Sequence, residues 1–255
     1  MMGELTEVFA GISGLILPVK NKSAYPQEFK NKSRLNYYSS LTNSIEFNSS
    51  FYKIPMPKTV EKWANDVPAN FKFTFKLWRE ITHSNGLDYE DDYVKKFMDS
   101  INKVGNKSGC ILCQFPPSFK PSKMPKLQNL IYLIKEYSEE IKWNIAVEIR
   151  HNSWYIPDFC EMLEKNDVAL VFHDKSGFNF QIIDQDIQFV YLRFHGPGGN
   201  YKGSYSDDVL YQQAHYIYDW LAAGKRVYVY FNNTMGAAFE NMETLKEMIR
   251  IEGER

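Results

Sequence analysis

One short stretch limits the fold more than any other part of the sequence. Residues 145–151 read Ile-Ala-Val-Glu-Ile-Arg-His, with a β-branched residue at every second position. This alternation predicts a strand that carries Glu148 and Arg150 on the face opposite Val147. A small residue, an acid and a base along one face suit the interior of a closed barrel, close to its mouth. Taken alone, the segment also fits a half-exposed strand with a surface ion pair.

The same alternation returns along the whole sequence, with helical spacing between the strands. Strands that alternate with helices predict an α/β fold with parallel strands. The length of 255 residues fits a single TIM-type (β/α)8 barrel that covers residues 1–255. Between Asp174 and Phe189 there is little periodicity, so we expect an irregular or missing sixth helix. The predicted strands are 8–14, 44–48, 71–76, 110–114, 145–149, 169–174, 189–195 and 227–231, and the predicted helices are 33–41, 58–66, 89–104, 125–141, 158–166, 207–223 and 236–251.

Composition narrows the class of protein. The formal net charge is −1, which argues against a nucleic-acid partner because such proteins usually carry a basic excess. Three cysteines are too few for a disulfide framework and favour a reducing, cytoplasmic setting. The first residues lack the pattern of a signal peptide, and no apolar run approaches membrane-spanning length. We therefore expect a cytoplasmic protein with no membrane partner.

Catalytic groups of (β/α)8 barrels lie at the carboxyl ends of the strands and in the loops beyond. Nearly every predicted strand of this sequence ends on an ionisable or hydrogen-bonding side chain. The side chains expected to face the helices are Ile45, Phe73, Phe75, Val147, Leu192 and Val229, and those expected inside are Glu46, Lys76, Glu148, Arg150 and Arg193. The catalytic candidates are Glu46, Lys76, Glu148, Arg150 and His195. The candidates for substrate binding are Asn48, Tyr52, His83, Gln114, His151, Trp154, Asp174, Arg193, Asn232 and Asn233.

These residue types suggest roles. Glu46 and Glu148 are acid/base candidates, and His195 is the candidate proton shuttle because imidazole exchanges protons near neutral pH. Lys76, Arg150 and Arg193 would hold a negatively charged group, and Arg193 would do so beside the loops after the last two strands. Four of the five histidines fall at or just after predicted strand ends, which strengthens the case for a functional site. The alternative is a structural plug of paired polar side chains.

Weaker signals remain open. Cys110 and Cys113 have the spacing of a redox or metal motif, but on a strand they point to opposite faces, which favours buried thiols. The pair His173-Asp174 has the residue types of a metal ligand pair, but neighbouring residues of a strand also point to opposite faces. The segments 196–199 and 232–236 follow the last two strands, where barrels commonly bind phosphate.

Seven short motifs occur in order along the chain. They are Gly11-Ile12-Ser13-Gly14, Ile45-Glu46-Phe47-Asn48-Ser49-Ser50-Phe51-Tyr52, Lys76 with Ile81-Thr82-His83, Gln114-Phe115-Pro116-Pro117-Ser118, Val147-Glu148-Ile149-Arg150-His151-Asn152-Ser153-Trp154, Tyr191-Leu192-Arg193-Phe194-His195-Gly196, and Val229-Tyr230-Phe231-Asn232-Asn233. Together they resemble the motifs of the YecE-like family, domain of unknown function 72. The resemblance covers nearly the whole chain and implies a TIM-type barrel. It implies no reaction, because the family has no established activity.

Three functions fit the sequence. The leading hypothesis is an enzyme that acts by acid/base chemistry on a small phosphorylated or sugar-like substrate. We expect this substrate to be negatively charged, and we assign no cofactor. A second hypothesis is a divalent-metal-dependent isomerase or phosphodiesterase with Glu46, Glu148, Asp174 and His195 as ligands. The third is a non-catalytic binding protein for a nucleotide, a nucleic-acid end or a metabolite. Fold alone does not choose among them.

Overall fold

Eight short strands alternate with helices along the chain, as the sequence predicts. A computed structural model describes residues 7–138, 140–175, 180 and 182–254. Each strand lies within two residues of its expected position, and four strands end before the glycine or polar residue that we expected to close them. The strands are β1 Val8–Ile12, β2 Ser44–Phe47, β3 Lys72–Lys76, β4 Ser108–Gln114, β5 Asn144–Glu148, β6 Val168–His173, β7 Phe189–Phe194 and β8 Arg226–Phe231.

The long helices begin within two residues of their predicted starts, but those predicted at 89–104 and 125–141 end three and five residues early. The first begins behind Ser33, whose side chain accepts a hydrogen bond from the backbone N–H of Asn36, as expected of a serine cap. Two four-residue helices, which are too short to show periodicity, were not predicted. No helix in the described part of the chain is long and apolar enough to cross a membrane. The helices are α1 Arg34–Leu41, α2 Ser49–Tyr52, α3 Pro57–Asn65, α4 Arg79–Thr82, α5 Asp91–Ile101, α6 Met124–Glu136, α7 Pro157–Lys165, α8 Asp207–Ala222 and α9 Ala238–Glu252.

Strand pairing is parallel and follows the order β1-β8-β7-β6-β5-β4-β3-β2, which makes the fold a TIM-type (β/α)8 barrel. The chain divides into two compact units. The first unit comprises Met1–Glu46 and Phe172–Arg255, and it contains the ladders β1–β8 and β7–β8. The second unit comprises Phe47–Val171, with ladders β3–β4, β4–β5 and β5–β6.

A buried tyrosine fixes α1 against the first strands of the first unit. The hydroxyl of Tyr38 donates to the carbonyl oxygen of Ser44 at 3.0 Å and accepts from the N–H of Ile12 at 2.8 Å. Burial raises the pKa of Tyr38 far above its usual range, so its hydroxyl remains a donor. The Ser44 hydroxyl lies 2.6 Å from the hydroxyl of Tyr230 on β8, which extends the same buried hydrogen bonding across the sheet.

Aromatic rings fill the helix side of the second unit. Phe47 stacks on Trp63 of α3, with 4.5 Å between ring centroids, and also stacks on Phe75 at 5.5 Å. Phe73 and Phe75 are fully buried and lie 6.2 Å apart as stacked rings. Both rings thus adjoin Phe47, which stacks on Trp63, and the expectation that they face the helices stays a prediction.

The crossover between β6 and β7 is irregular, as predicted. Its described residues, 174–175, 180 and 182–188, belong to no helix or strand. The rest of the expected irregular crossover, residues 176–179 and 181, lies outside the described residues. A second prediction also holds, because Cys110 and Cys113 are buried free thiols and burial raises the pKa of Cys113 well above its usual range.

The closest approach of two strands in the first unit generates a prediction. A Cβ atom on Gly11 would lie 2.2 Å from the carbonyl oxygen of Ser44, which is backbone and cannot move aside cheaply. We expect Gly11→Ala to lower the free energy of unfolding by roughly 1–3 kcal/mol, because it forces β1 away from β2. Gly198→Ala is the matched control, since its nearest neighbour atom is 3.5 Å away. Equal urea midpoints for the two variants would contradict the packing described here.

Candidate functional site

A fully buried carboxylate lies at the centre of the first unit. Glu46, near the end of β2, is 0% exposed. Its Oε2 accepts hydrogen bonds from the hydroxyl of Tyr191 at 2.5 Å and from Nε of Arg193 at 3.0 Å, and its Oε1 accepts from Nη2 of Arg193 at 2.8 Å. Because a buried charge is tolerated only when it is paired and hydrogen-bonded, these contacts hold Glu46 as a carboxylate.

The same arginine fixes the protonation of His195. Nη1 of Arg193 lies 3.1 Å from Nε2 of His195, two residues along the strand direction and on the same face. Since a guanidinium only donates, Nε2 must accept, and the ring proton of the neutral imidazole is then on Nδ1. Nδ1 lies 3.4 Å from Oδ1 of Asp174. Nε2 of His195 is therefore held as an acceptor, and Nδ1 lies near a carboxylate.

Asp174 accepts two further hydrogen bonds. The backbone N–H of His195 donates to its Oδ1 at 2.6 Å, and the hydroxyl of Tyr205 donates to its Oδ2. The Tyr205 hydroxyl in turn accepts from the N–H of Gly196 at 2.5 Å. Burial, followed by the charge of Asp174, raises the pKa of Tyr205 far above its usual range, so the phenol stays protonated. Tyr205 therefore acts as a donor to Asp174 at neutral pH.

We refer to Glu46, Tyr191, Arg193, His195 and Asp174 as the buried polar network. Its first four members are almost completely buried, whereas the side chain of Asp174 is 11% exposed. Two carboxylates, one guanidinium and one neutral imidazole leave the network with one net negative charge. The accessible end of that charge is Asp174.

A pocket of about 700 Å³ adjoins this end of the network. Asp174 and Tyr205 form part of its wall, and the first turns of α8 form another part. The pocket lies wholly within the first unit. The described residues that line it are Asp174, Phe180, Ile182, Pro197, Ser204, Tyr205, Ser206, Val209, Gln212, Gln213 and Tyr216.

The loops after β7 and β8 are tied to each other. The side-chain amide of Asn233 donates to the carbonyl oxygen of Gly203 at 3.1 Å and to Oδ1 of Asn241 at 3.0 Å. Asn232 and Asn233 are both buried, and Arg193 is bonded to Glu46 and His195 rather than directed into these loops. The expected use of Arg193 to hold an anion here does not fit its contacts. A phosphate site formed by the loop backbones stays a prediction.

In the second unit, Glu148 and Arg150 form the ion pair that the alternation suggests. Glu148 is 0% exposed, and the side chain of Arg150 is 8% exposed. Nζ of Lys76 lies 4.0 Å from the centre of the Phe51 ring, and the His83 ring packs edge-on against the same phenylalanine at 4.9 Å. Lys76 and His83 thus share one aromatic neighbour.

The charges around His83 are mostly positive. Burial, followed by the charges of Lys76, Arg79 and Arg150, lowers the pKa of His83 to about 4. His83 is therefore neutral at pH 7, with Nδ1 at 2.9 Å from the hydroxyl of Thr82. We call Lys76, Arg79, His83 and Arg150 the cationic cluster. Of the four, Arg79 was not predicted from the sequence, because it lies in the short helix α4 and not at a strand end.

Four other predicted binding residues contact nearby residues of their own segments or are exposed. Gln114 donates to the carbonyl oxygen of Phe115, and His151 contacts the hydroxyl of Ser153 at 2.8 Å. Asn48 is half-buried ahead of α2, and Tyr52 is 68% exposed. These four residues stay predictions.

Trp154 has a different role from the one expected. The residue is fully buried, its indole N–H donates to the carbonyl oxygen of Phe119 at 2.8 Å, and its ring stacks on Phe119 at 4.9 Å. Phe159 covers it at 4.7 Å. With its faces and its N–H occupied, Trp154 is a core residue, and it offers no surface for a ligand.

The hypothesis of a metal site has little support in these contacts. Among the described residues, no group of three or more His, Cys, Asp or Glu side chains is arranged to hold a metal ion. Both carboxylate oxygens of Glu46, one of the proposed metal ligands, already accept hydrogen bonds from Arg193. Four residues of the sites described here were not predicted as site residues, namely Arg79, Tyr191, Tyr205 and Gln213. For Tyr191 the signal was its place on the same strand face as Arg193.

The buried pair of Glu46 and Arg193 generates a stability prediction. We expect Glu46→Ala to lower the free energy of unfolding by about 3–5 kcal/mol, because it leaves the guanidinium buried without its counterion. Glu46→Gln keeps the shape and part of the hydrogen bonding, so it should cost less. Glu243→Ala removes an exposed carboxylate that pairs with Lys246 and is the control, with an expected change of about 1 kcal/mol or less. Chemical denaturation measures all three, and a Glu46→Ala loss as small as the control would refute the pairing.

The cationic cluster generates a pH prediction. The pKa of His83 falls from 6.5 to about 4 on folding, so between these values the unfolded chain binds a proton that the folded chain does not. Its contribution to the free energy of unfolding should therefore decrease as the pH drops from about 6.5 to about 4, and stay constant below. NMR titration of the His83 ring, assigned by comparison with His83→Gln, measures the midpoint. A midpoint near 6.5 would contradict the cluster.

Comparisons with known proteins agree with the fold. The family described as "Protein of unknown function DUF72" matches residues 9–255. The chain is 27% identical to the UPF0759 protein YunF of Bacillus subtilis (strain 168), over 90% of this chain and 91% of YunF. It is also 27% identical to the UPF0759 protein YecE of Escherichia coli (strain K12), over 48% of this chain and 43% of YecE.

Solved structures show the same fold. A DUF72 family protein of Thermotoga maritima MSB8 superposes with a TM-score of 0.77 at 25% identity, covering 95% of this chain and 99% of that one. A DUF72 family protein of Enterococcus faecalis V583 superposes with a TM-score of 0.78 at 22% identity, covering 95% of both chains. On the match to residues 9–255, the chain belongs to the DUF72 family, whose function is unknown.

Proposed function

We propose that this protein is an enzyme that acts by acid/base chemistry on a small phosphorylated or sugar-like substrate. The observation that carries the proposal is the position of His195, fixed between Arg193 and Asp174 in a buried polar network that reaches a pocket. A purely structural network has no need to end on a partly accessible carboxylate. Perturbed and coupled ionisable groups beside a cavity are typical of active sites.

Within this proposal Asp174 is the group that exchanges a proton with the substrate. Its carboxylate is the accessible member of the network, and it would accept a proton from a substrate hydroxyl or an acidic C–H group. The N–H of His195 and the hydroxyl of Tyr205 orient the carboxylate. His195 was the shuttle candidate in the sequence, but its Nε2 accepts from Arg193, so we assign it the supporting role.

The second unit contains a separate group of cations that suits a negatively charged ligand. Burial, followed by the charges of Lys76, Arg79 and Arg150, lowers the pKa of His83, and Glu148 is the acid paired with Arg150. A phosphate or carboxylate group bound there would offset this positive charge. It would also raise the pKa of His83. The midpoint of the His83 titration is therefore a direct reporter of anion binding, whatever the substrate is.

A second candidate function has one observation in its favour. Glu46, Arg193 and His195 are almost completely buried, as members of a purely structural network would be. The protein would then be a non-catalytic binding protein for a nucleotide, a nucleic-acid end or a metabolite. For either function we propose a cytoplasmic location, because Cys110, Cys113 and Cys160 are all free thiols.

The test separates the two functions. The protein is incubated in D2O with matched pairs of sugars and sugar phosphates, and NMR follows the exchange of C–H protons and the formation of products. Asp174→Asn should slow turnover by about 10²–10⁴-fold, the usual contribution of a general base. Asp219→Asn, an exposed residue of α8, is the matched control. Binding without turnover by the wild-type protein would reject the enzyme and favour the second candidate.

The anion is tested separately. Inorganic phosphate should shift the His83 midpoint upward from about 4, because a bound anion opposes the charges of the cationic cluster. Lys76→Gln weakens that site and should reduce the shift. An unchanged midpoint at high phosphate concentration would remove the support for an anionic substrate.

A further inference from the structure

The pocket beside Asp174 contains a buried acceptor that has no donor. Gln213, on α8, lines the pocket and is 4% exposed. Its Oε1 is buried and has no hydrogen-bond partner among the described residues. A buried carbonyl oxygen without a partner is unfavourable, and native proteins rarely keep one without a reason. A ligand that brings an N–H or O–H donor would satisfy it.

The charge of the pocket identifies the kind of donor. Asp174 is the charged residue among the described lining residues, and none of those lining residues is Lys, Arg or His. The first turn of α8 adds the carboxylates of Asp207 and Asp208, which oppose the positive end of the helix dipole. An anionic group would be repelled at this place. A positively charged donor would gain from the carboxylates and from the unpaired oxygen together.

The remaining lining suits a hydrocarbon body next to that charge. Phe180, Ile182, Pro197 and Val209 contribute apolar surface, and Tyr216 contributes a second aromatic ring. Aromatic faces attract organic cations, and apolar walls with a few placed polar atoms are typical of small-molecule sites. A volume of about 700 Å³ accommodates a molecule of ordinary metabolite size.

We propose that this pocket binds a small organic amine, with the ammonium group donating to Oε1 of Gln213 and facing the charge of Asp174. The inference shares its pocket and Asp174 with the proposed function, because an amine held there would lie where Asp174 meets a substrate. Its test measures binding alone, so it succeeds or fails without any turnover. The pocket should prefer a cation, whereas the cationic cluster should prefer an anion. An amine and inorganic phosphate therefore test the two sites separately.

The test compares three probes of one shape: benzylamine, benzyl alcohol and benzoate. Calorimetric titration of the wild-type protein should show benzylamine binding about tenfold or more tightly than benzyl alcohol, with benzoate weaker still, because hydrogen bonds from a charged donor are the stronger ones. Equal affinity for amine and alcohol would overturn the proposal. So would an affinity for benzylamine that appears only at concentrations where it binds non-specifically.

Variants assign the binding to the pocket. Gln213→Leu keeps the size of the side chain and removes the acceptor, so it should weaken benzylamine about tenfold or more without lowering the melting temperature. Gln188→Leu, at an exposed position of the first unit, is the matched control. Val209→Trp fills the pocket from a partly exposed position and gives a second route if Gln213→Leu folds poorly. Unchanged benzylamine binding in both Gln213→Leu and Val209→Trp would refute the site.

Discussion

The ion pair between Glu46 and Arg193 is the contact on which the first unit depends. Both side chains are almost completely buried, so neither charge is compensated by water. Their desolvation is unfavourable, and it is offset only because the guanidinium reaches both carboxylate oxygens and Tyr191 adds a further hydrogen bond. Each partner therefore restricts the other to one geometry. Such a pair specifies an arrangement more strongly than it adds stability.

That restriction passes to the residues beyond the pair. An arginine fixed on its Nε and Nη2 sides by Glu46 presents Nη1 to His195 in a single direction. The imidazole then has one tautomer, and its Nδ1 lies 3.4 Å from Oδ1 of Asp174. In this way a charge on β2 is linked through Arg193 and His195 to a loop carboxylate. The pocket receives a carboxylate that is already oriented, which lowers the cost of ordering a ligand against it.

The sequence carries most of the fold and only part of the site. Alternation placed Arg193 and Glu46 on interior faces, because the period of a strand is fixed by its geometry. It did not pair them, since residues 147 positions apart meet only through the strand order and register of the sheet. Trp154 was predicted as a binding residue but lies in the core. Its position after a strand suggested a ligand contact, whereas Phe119 and Phe159 enclose it, and no local sequence pattern indicates such packing.

Gln213 could not be recognised in advance because its importance comes from its place beside the irregular crossover and not from a local sequence pattern. A (β/α)8 barrel normally packs each helix between two neighbouring helices, which supply an apolar side chain every three or four residues. Here the described residues between β6 and β7 form no helix, and they contribute Phe180 and Ile182 to the pocket beside α8. Among the described residues a cavity lies against one face of α8, where Val209, Gln213 and Tyr216 follow helical spacing. A polar side chain on that face is tolerable only if something polar enters the cavity. The chemistry of the pocket therefore arises from the irregular crossover, whereas the chemistry of Glu46 and Arg193 arises from the regular strands.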